Sequence, residues 1–131
     1  AKPKIAVWGL TYKKNTHSTK NAPALRLIRD LAAHAEFAAW DPIIRAQDNL
    51  GAVQLLGSPA DALRGADALL IMSDWDEFVN ADLRPVRSEM TRSLVIDCAG
   101  ALEGRRKELT GIEYVSMGRR PQGLRPAAAS A

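Results

Sequence analysis

The chain has 131 residues, the size of one domain, and 47% of them are hydrophobic, which suffices for a single core. The net charge of +3 comes from Arg119, Arg120 and Arg125, so the preceding residues carry equal numbers of basic and acidic groups. A neutral body with a short basic end is not typical of a nucleic-acid-binding surface. The single Cys98 excludes an internal disulfide and a thiol pair.

No apolar run approaches the roughly 20 residues that span a membrane, and the first residues lack the pattern of a signal peptide. We therefore expect a cytoplasmic protein without membrane or nucleic-acid partners and without a metal site.

Short apolar runs rich in strand formers alternate with segments of helical spacing. The first run, KIAVWGL, is typical of a strand buried on both faces. The strands are predicted at 4–10, 36–40, 53–56, 68–72, 94–97 and 112–115. The helices are predicted at 22–34, 43–49, 58–64, 83–90 and 105–109.

Prolines and one cap set several of these boundaries. Pro23 suits a first helical turn, Asp41-Pro42 ends the second strand, and Ser58 is a candidate N-cap before Pro59. Strands alternating with helices through short connections predict an α/β, Rossmann-like doubly wound fold. Its mostly parallel sheet of about six strands should carry helices on both faces.

The end of the chain differs from its body. Residues 118–131, GRRPQGLRPAAASA, show no periodicity and little to bury, so we predict a disordered tail after one domain at 1–117. Because the first residue is not methionine and a strand begins almost at once, we expect the domain to come from a longer chain.

Ligands of parallel sheets bind beyond the carboxyl ends of the strands. The candidate site segments are therefore 9–20, 41–44, 73–80 and 97–101. A dinucleotide loop requires G-x-G-x-x-G, but the matching positions are Gly9, Thr11 and Lys14. Asp41 follows the second strand, as a ribose-binding acidic residue does, yet lies farther from Gly9 than the roughly 20 residues of that fingerprint. NAD binding by this chain is therefore disfavoured.

The loop after the first strand offers an aromatic face, two cations and several hydrogen-bonding groups. Its residues are Tyr12, Lys13, Lys14, Asn15, Thr16 and His17. This set suits a phosphorylated, partly planar ligand. The alternative is that the loop is simply solvated, as many polar loops are.

Three motifs, in order along the chain, resemble the UDP-glucose/GDP-mannose dehydrogenase family. GLTYKKNT at 9–16, followed by NAP at 21–23, is similar to the family's G-L-x-[FY]-K-x-N-T-x-x-x-[KR]-x-[SA]-P. WDP at 40–42 is similar to Y-D-P, and SDWDEF at 73–78 is similar to T-x-W-x-E-F. Together they indicate the C-terminal, UDP-sugar-binding domain, closest to that of the UDP-glucose 6-dehydrogenases.

The resemblance implies that Tyr12 and Lys13 contact the bound nucleotide sugar, with the lysine near its phosphates. Further candidates for lining the site are Lys14, Asn15, Thr16 and Ala99. Trp75 follows a strand, where an aromatic residue more often closes the core than stacks on a ligand, so we favour a structural role for it. No catalytic residue is predicted in this chain.

Two departures from the family pattern stand out. His17 and Ser18 replace the acidic residues that often follow the N-T pair. At 97–100 the chain reads D-C-A-G, where many members read D-G-R-N and use the arginine on the substrate. Cys98 thus occupies a glycine position, and the catalytic thiol of the family belongs to the preceding domain. We expect Cys98 to pack as a small hydrophobe.

The resemblance implies a longer enzyme that oxidises UDP-glucose to UDP-glucuronate in two hydride transfers to NAD, through a cysteine thioester. NAD and that cysteine would belong to the N-terminal NAD-binding and central helical domains of the same chain, so this domain would be inactive alone. The whole enzyme is expected to be a homodimer, and the isolated domain is compatible with a monomer. The alternative is a non-catalytic nucleotide-binding module or structural subunit of the same family.

Overall fold

The computed structural model of the protein describes residues 2–11, 22–44 and 53–117. Six strands form one sheet, and every neighbouring pair is parallel. The strands are β1 (Lys4–Trp8), β2 (Glu36–Trp40), β3 (Val53–Leu55), β4 (Ala68–Ile71), β5 (Leu94–Asp97) and β6 (Glu113–Ser116). Their order in the sheet is β3-β2-β1-β4-β5-β6, which confirms the predicted doubly wound α/β fold.

The most apolar runs of the sequence form the centre of the sheet. All four residues of β4, ALLI, are buried, and its neighbour β1 is buried at its last three residues. Edge strand β3, in contrast, has no buried residue. This gradient follows from the fold, because a parallel strand covered on both faces needs apolar side chains on both sides.

Helices cover the two faces of the sheet. On one face, α1 (Pro23–Leu31) buries Ala24 and Ile28 against the side chains of Val7, Phe37 and Leu70. The elements associated with the other face are α2 (Pro59–Leu63), α3 (Asp76–Val79), α4 (Arg84–Ser88) and a 3₁₀ helix (Glu103–Glu108). Strand residues alternate between the two cores, as the period of two requires.

Helix α2 begins as the sequence predicts. The hydroxyl of Ser58 accepts a hydrogen bond from Asp61 N at 3.0 Å, and Pro59 occupies the first helical position. Helix α1 is shorter than predicted, because it ends at Leu31 and the chain turns before β2. In that turn the amides of His34 and Ala35 both donate to Leu31 O.

Three further differences concern the second half of the chain. The segment predicted as a helix at 105–109 is the 3₁₀ helix and begins earlier, at Glu103. Helix α4 is shorter than the predicted 83–90. Helix α3 lies partly within the run 73–78, for which no helix was predicted. Most of the predicted helix at 43–49, and the predicted tail, lie outside the described residues.

Within the part of the chain that the structure describes, no helix is both long and apolar enough to cross a membrane.

Candidate functional site

The strand order reverses between β1 and β4. The chain leaves β1 toward α1 on one face of the sheet and leaves β4 toward α3 on the other face. Because such connections diverge, doubly wound sheets generally bind ligands in a crevice beyond the carboxyl ends of the two strands, which makes this the candidate location here. We call it the switch-point crevice. Its described walls are residues 9–11, the β1 wall, and residues 73–75, the β4 wall.

Gly9 lies where the two walls touch. Its φ of 99° belongs to the region that favours glycine, and its amide donates to Trp40 O at 3.0 Å. A Cβ atom on Gly9 would lie 2.2 Å from Ser73 Oγ and 3.2 Å from the Ser73 amide nitrogen. Glycine is therefore required here by close approach as well as by backbone conformation.

Asp41, at the end of β2, holds the start of the first loop. It is 1% exposed, and one carboxylate oxygen accepts from Leu10 N at 2.8 Å. The other oxygen accepts from the amides of Ile43 and Ile44 at 2.8 and 3.0 Å. A buried carboxylate that binds three backbone amides organises the two loops around it, and this role replaces the ribose-binding role considered from the sequence.

Asp97 has the same function at the end of β5. It is fully buried, and its carboxylate accepts from the amides of Ala99, Ala101 and Leu102 at 3.2, 3.0 and 2.8 Å. The Tyr114 hydroxyl donates to it at 2.6 Å. Burial, together with this hydrogen bond to a carboxylate, raises the pKa of Tyr114. The sequence analysis missed this role, although an aspartate that ends an apolar strand before small residues is its signal.

Cys98 is exposed, so the expectation that it packs as a small hydrophobe is wrong. The reason is its position: Cys98 lies in the bend just after β5, whose last residue, Asp97, takes the buried position. Desolvation, and then the nearby charge of Asp97, raises the pKa of the Cys98 thiol. A raised pKa lowers the thiolate fraction, so this is not the environment of an activated nucleophile.

Trp75, on the β4 wall, is buried in the core, in agreement with the structural role that the sequence favours for it. Phe78 of α3 lies beside it in the same core and stacks on Trp8 with ring centroids 5.4 Å apart. Trp40 meets Phe78 edge-on. The aromatic residues of the SDWDEF run therefore close the core under the crevice.

Residues 6–104 match the model of the UDP-glucose/GDP-mannose dehydrogenase family, UDP binding domain. The match includes both walls of the switch-point crevice and the end of β5. The chain belongs to this family.

Curated relatives and solved structures agree with that membership. The chain is 32% identical over 119 residues to UDP-glucose 6-dehydrogenase of Rhizobium meliloti, and 30% identical over 124 residues to that of Pseudomonas aeruginosa. Each alignment covers 88% of this chain and 27% of the relative. UDP-D-ManNAc dehydrogenase of Pyrococcus horikoshii superimposes with a TM-score of 0.74 at 26% identity, over 90% of this chain and 26% of that one.

The chain therefore spans about a quarter of the length of these family members. Both walls of the crevice and both loop-organising aspartates lie within the matched residues. The matched part is thus one domain of proteins that are several times longer.

The site residues predicted in the first loop, Tyr12, Lys13, Lys14, Asn15 and Thr16, lie outside the described residues. Their contacts with a ligand stay predictions. The structure describes only how the loop starts, at Leu10 and Thr11, which are both buried.

Ala99 is partly buried, and its amide donates to the Asp97 carboxylate at 3.2 Å. It lies two residues beyond β5, the neighbour of β4. The backbone at Ala99 is therefore held by Asp97, and its side chain is a methyl group.

Two positions that the dinucleotide fingerprint uses have other surroundings in the described residues. Thr11 is buried at the second glycine position of the fingerprint, and Asp41 is engaged by backbone amides. Among residues 2–11, 22–44 and 53–117 there is no group of three or more His, Cys, Asp or Glu that could hold a metal ion.

Proposed function

We propose that the chain binds a UDP-sugar at the switch-point crevice, as the UDP-sugar-binding domain of a longer dehydrogenase. The observation that carries the proposal is the match of residues 6–104 to the family's UDP binding domain. The reversal of strand order between β1 and β4 supports the same location, because such reversals create ligand crevices.

In this proposal Tyr12 and Lys13 contact the nucleotide. A lysine is a mobile point charge suited to a diphosphate, and a tyrosine ring is a flat apolar wall. Asp41 supports the arrangement by fixing Leu10, from which the loop departs. Further lining residues are Lys14, Asn15, Thr16 and Ala99.

The whole protein is proposed to oxidise UDP-glucose to UDP-glucuronate in two hydride transfers to NAD. NAD and the catalytic cysteine would be held by N-terminal and central helical domains of the longer chain, which would form a homodimer. The present domain would supply binding energy and orientation, so that the sugar reaches the reacting groups elsewhere. The names of the relatives, UDP-glucose 6-dehydrogenase, support this substrate.

Ala99 favours a second candidate, a nucleotide-binding module or structural subunit that has lost catalysis. Without an arginine at this position the ligand lacks one planar, multidentate contact. Sequencing of the upstream reading frame separates the two candidates. A segment of roughly 300 residues with G-x-G-x-x-G after its first strand, and a lone cysteine later, would establish the enzyme.

The isolated chain is expected to bind UDP and not NAD. The UDP match lies within it, whereas its first loop lacks two of the three glycines that a dinucleotide requires. NMR titrations of the same sample with UDP and with NAD measure the difference. With UDP-glucose and NAD together, absorbance should show no NADH above a no-protein control.

Two results would contradict this assignment. Saturable shifts with NAD, or NADH formation, would show that the chain has the chemistry assigned to other domains. A titration in which UDP causes no shift would remove the binding function itself.

Lys13→Ala is expected to raise the dissociation constant for UDP about tenfold or more, because a charged hydrogen bond to phosphate contributes roughly 1.5 to 3 kcal/mol. The matched control is Lys14→Ala, which removes the same charge one residue later and should have a much smaller effect. Calorimetry at constant salt measures both variants. Equal effects would mean that the loop attracts the ligand only as a diffuse positive patch.

A further inference from the structure

Two polar groups on the β4 wall are buried without a hydrogen-bond partner. Ser73 and Trp75 are 2% and 7% exposed, and neither Ser73 Oγ nor Trp75 Nε1 has a partner among the described residues. Buried donors are nearly always paired, and leaving one unpaired costs stability.

Their position connects them to the switch-point crevice. The Ser73 hydroxyl lies against Gly9, where the two walls touch, because a Cβ on that glycine would come within 2.2 Å of it. Trp75 stands two residues further, at the entry to α3. Both groups therefore belong to the short connection that forms the β4 wall.

A second tryptophan shows that this arrangement is specific to the β4 wall. The indole N–H of Trp8 donates to Pro59 O at 3.1 Å, in the same core that holds the Trp75 ring. Within the described residues, the indole N–H of Trp8 is therefore paired and that of Trp75 is buried and unpaired.

We infer that Ser73 and Trp75 donate hydrogen bonds to oxygen atoms of the bound nucleotide sugar and form a neutral binding subsite on the β4 wall. This inference rests on the proposed function. An indole N–H can only donate and a serine hydroxyl can donate or accept, so phosphate and sugar oxygens both suit them. Buried donors held by a packed core are already ordered before the ligand arrives, which lowers the entropy cost of binding.

The two walls then have different tasks. Lys13, on the loop after β1, supplies charge and attracts the diphosphate. The β4 wall supplies fixed neutral donors, which are directional and set the orientation of the ligand.

The test compares Trp75→Phe and Ser73→Ala with the wild-type chain. Each variant removes one donor and keeps most of the packing volume. Each is expected to raise the dissociation constant for UDP about threefold to tenfold, the usual range for a neutral hydrogen bond. The thermal unfolding temperature of unliganded Ser73→Ala should be unchanged or higher, because an unpaired donor is removed, and Trp75→Phe should lower it less than Trp8→Phe, because both changes remove the same ring atoms from one core.

Trp8→Phe is the matched control. It removes an indole N–H that is already paired within the fold, so it should lower the unfolding temperature and leave UDP affinity near the wild-type value. A ligand contact at Trp75 is therefore recognised by a loss of UDP affinity, and a structural contact at Trp8 by a loss of thermal stability without a loss of affinity.

The indole N–H signals provide a direct readout. The chain has three tryptophans, and Phe variants assign their NMR signals. Addition of UDP should move the Trp75 signal and slow its hydrogen exchange, while the Trp8 signal keeps its position. A shift with UDP locates the contact at the diphosphate, and a shift that requires UDP-glucose locates it at the sugar.

The outcomes separate this inference from the proposed function. No UDP binding by the wild-type chain overturns both. Wild-type binding that survives Trp75→Phe and Ser73→Ala overturns the inference alone. Variants that unfold more easily but bind UDP normally would show that an internal water satisfies these donors, and this result also rejects the subsite.

Discussion

Asp97→Ala is expected to lower the free energy of unfolding by about 3 to 5 kcal/mol, comparable to breaking a buried ion pair. The fully buried carboxylate accepts from three backbone amides and from the Tyr114 hydroxyl. Alanine would remove the acceptor of all four donors, three on the loop after β5 and one on β6. Urea denaturation at neutral pH, followed by circular dichroism, measures the loss.

Two further variants test the cause. Asp97→Asn keeps one oxygen acceptor and should lose less stability than Asp97→Ala. Asp82→Ala removes a carboxylate whose ion pair with Arg84 is exposed, so it should change stability by less than about 1 kcal/mol. A small loss at Asp97 would mean that water replaces the carboxylate and that the loop at 98–102 does not depend on it.

The positions of the strands could be predicted because the physics of a buried parallel strand is local. A strand covered on both faces is a short apolar run, and β4 shows this in ALLI, all four residues of which are buried. The cap at Ser58 was equally predictable, because the serine hydroxyl binds an amide only three residues later and the following proline suits the first helical position.

Features that depend on distant contacts could not be predicted. Over six residues, the spacing of apolar side chains does not distinguish a 3₁₀ helix from an α-helix. Within this segment, ion pairs join Arg106 to Glu103 and Arg105 to Glu108. The Arg105 guanidinium also donates to the carbonyl oxygens of Val79 and Ala81, which are far from it in sequence. The predicted short helix at 105–109 therefore overlaps the observed one, and its 3₁₀ type was not predicted.

The candidate site shows the same division. The strand pattern predicted which edge of the sheet carries the site, and three motifs predicted the family. The roles of Asp41 and Asp97 could not be predicted, because the sequence places an aspartate at each strand end but does not show which backbone amides it binds. Their positions become meaningful only when the loops around them are folded. The unpaired groups of Ser73 and Trp75 likewise require a structure, since burial without a partner leaves no pattern in a sequence.

Gly9→Ala is expected to destabilise the chain by about 2 to 4 kcal/mol, because two costs combine at this residue. Its φ of 99° is unfavourable for any residue with a Cβ, and the new atom would meet Ser73 Oγ at 2.2 Å. The controls separate the costs. Gly65→Ala adds a Cβ at a φ of 71° with no atom within 4 Å, so it should show the backbone cost of about 1 to 2 kcal/mol alone.

Gly104→Ala should be nearly neutral, since its Cβ meets no atom within 4 Å and its φ is not in the left-handed region. The steric cost at Gly9 can then be isolated by a double variant. Ser73→Ala removes the hydroxyl oxygen, so in its presence Gly9→Ala should lose less stability, and the difference measures the contact between the two walls. Contacts of 3.2 Å to Ser73 N and to Phe78 remain, so the recovery should be partial. Simple additivity of the two changes would mean that Ser73 rotates away at no cost, and that the walls of the switch-point crevice are not held together at this point.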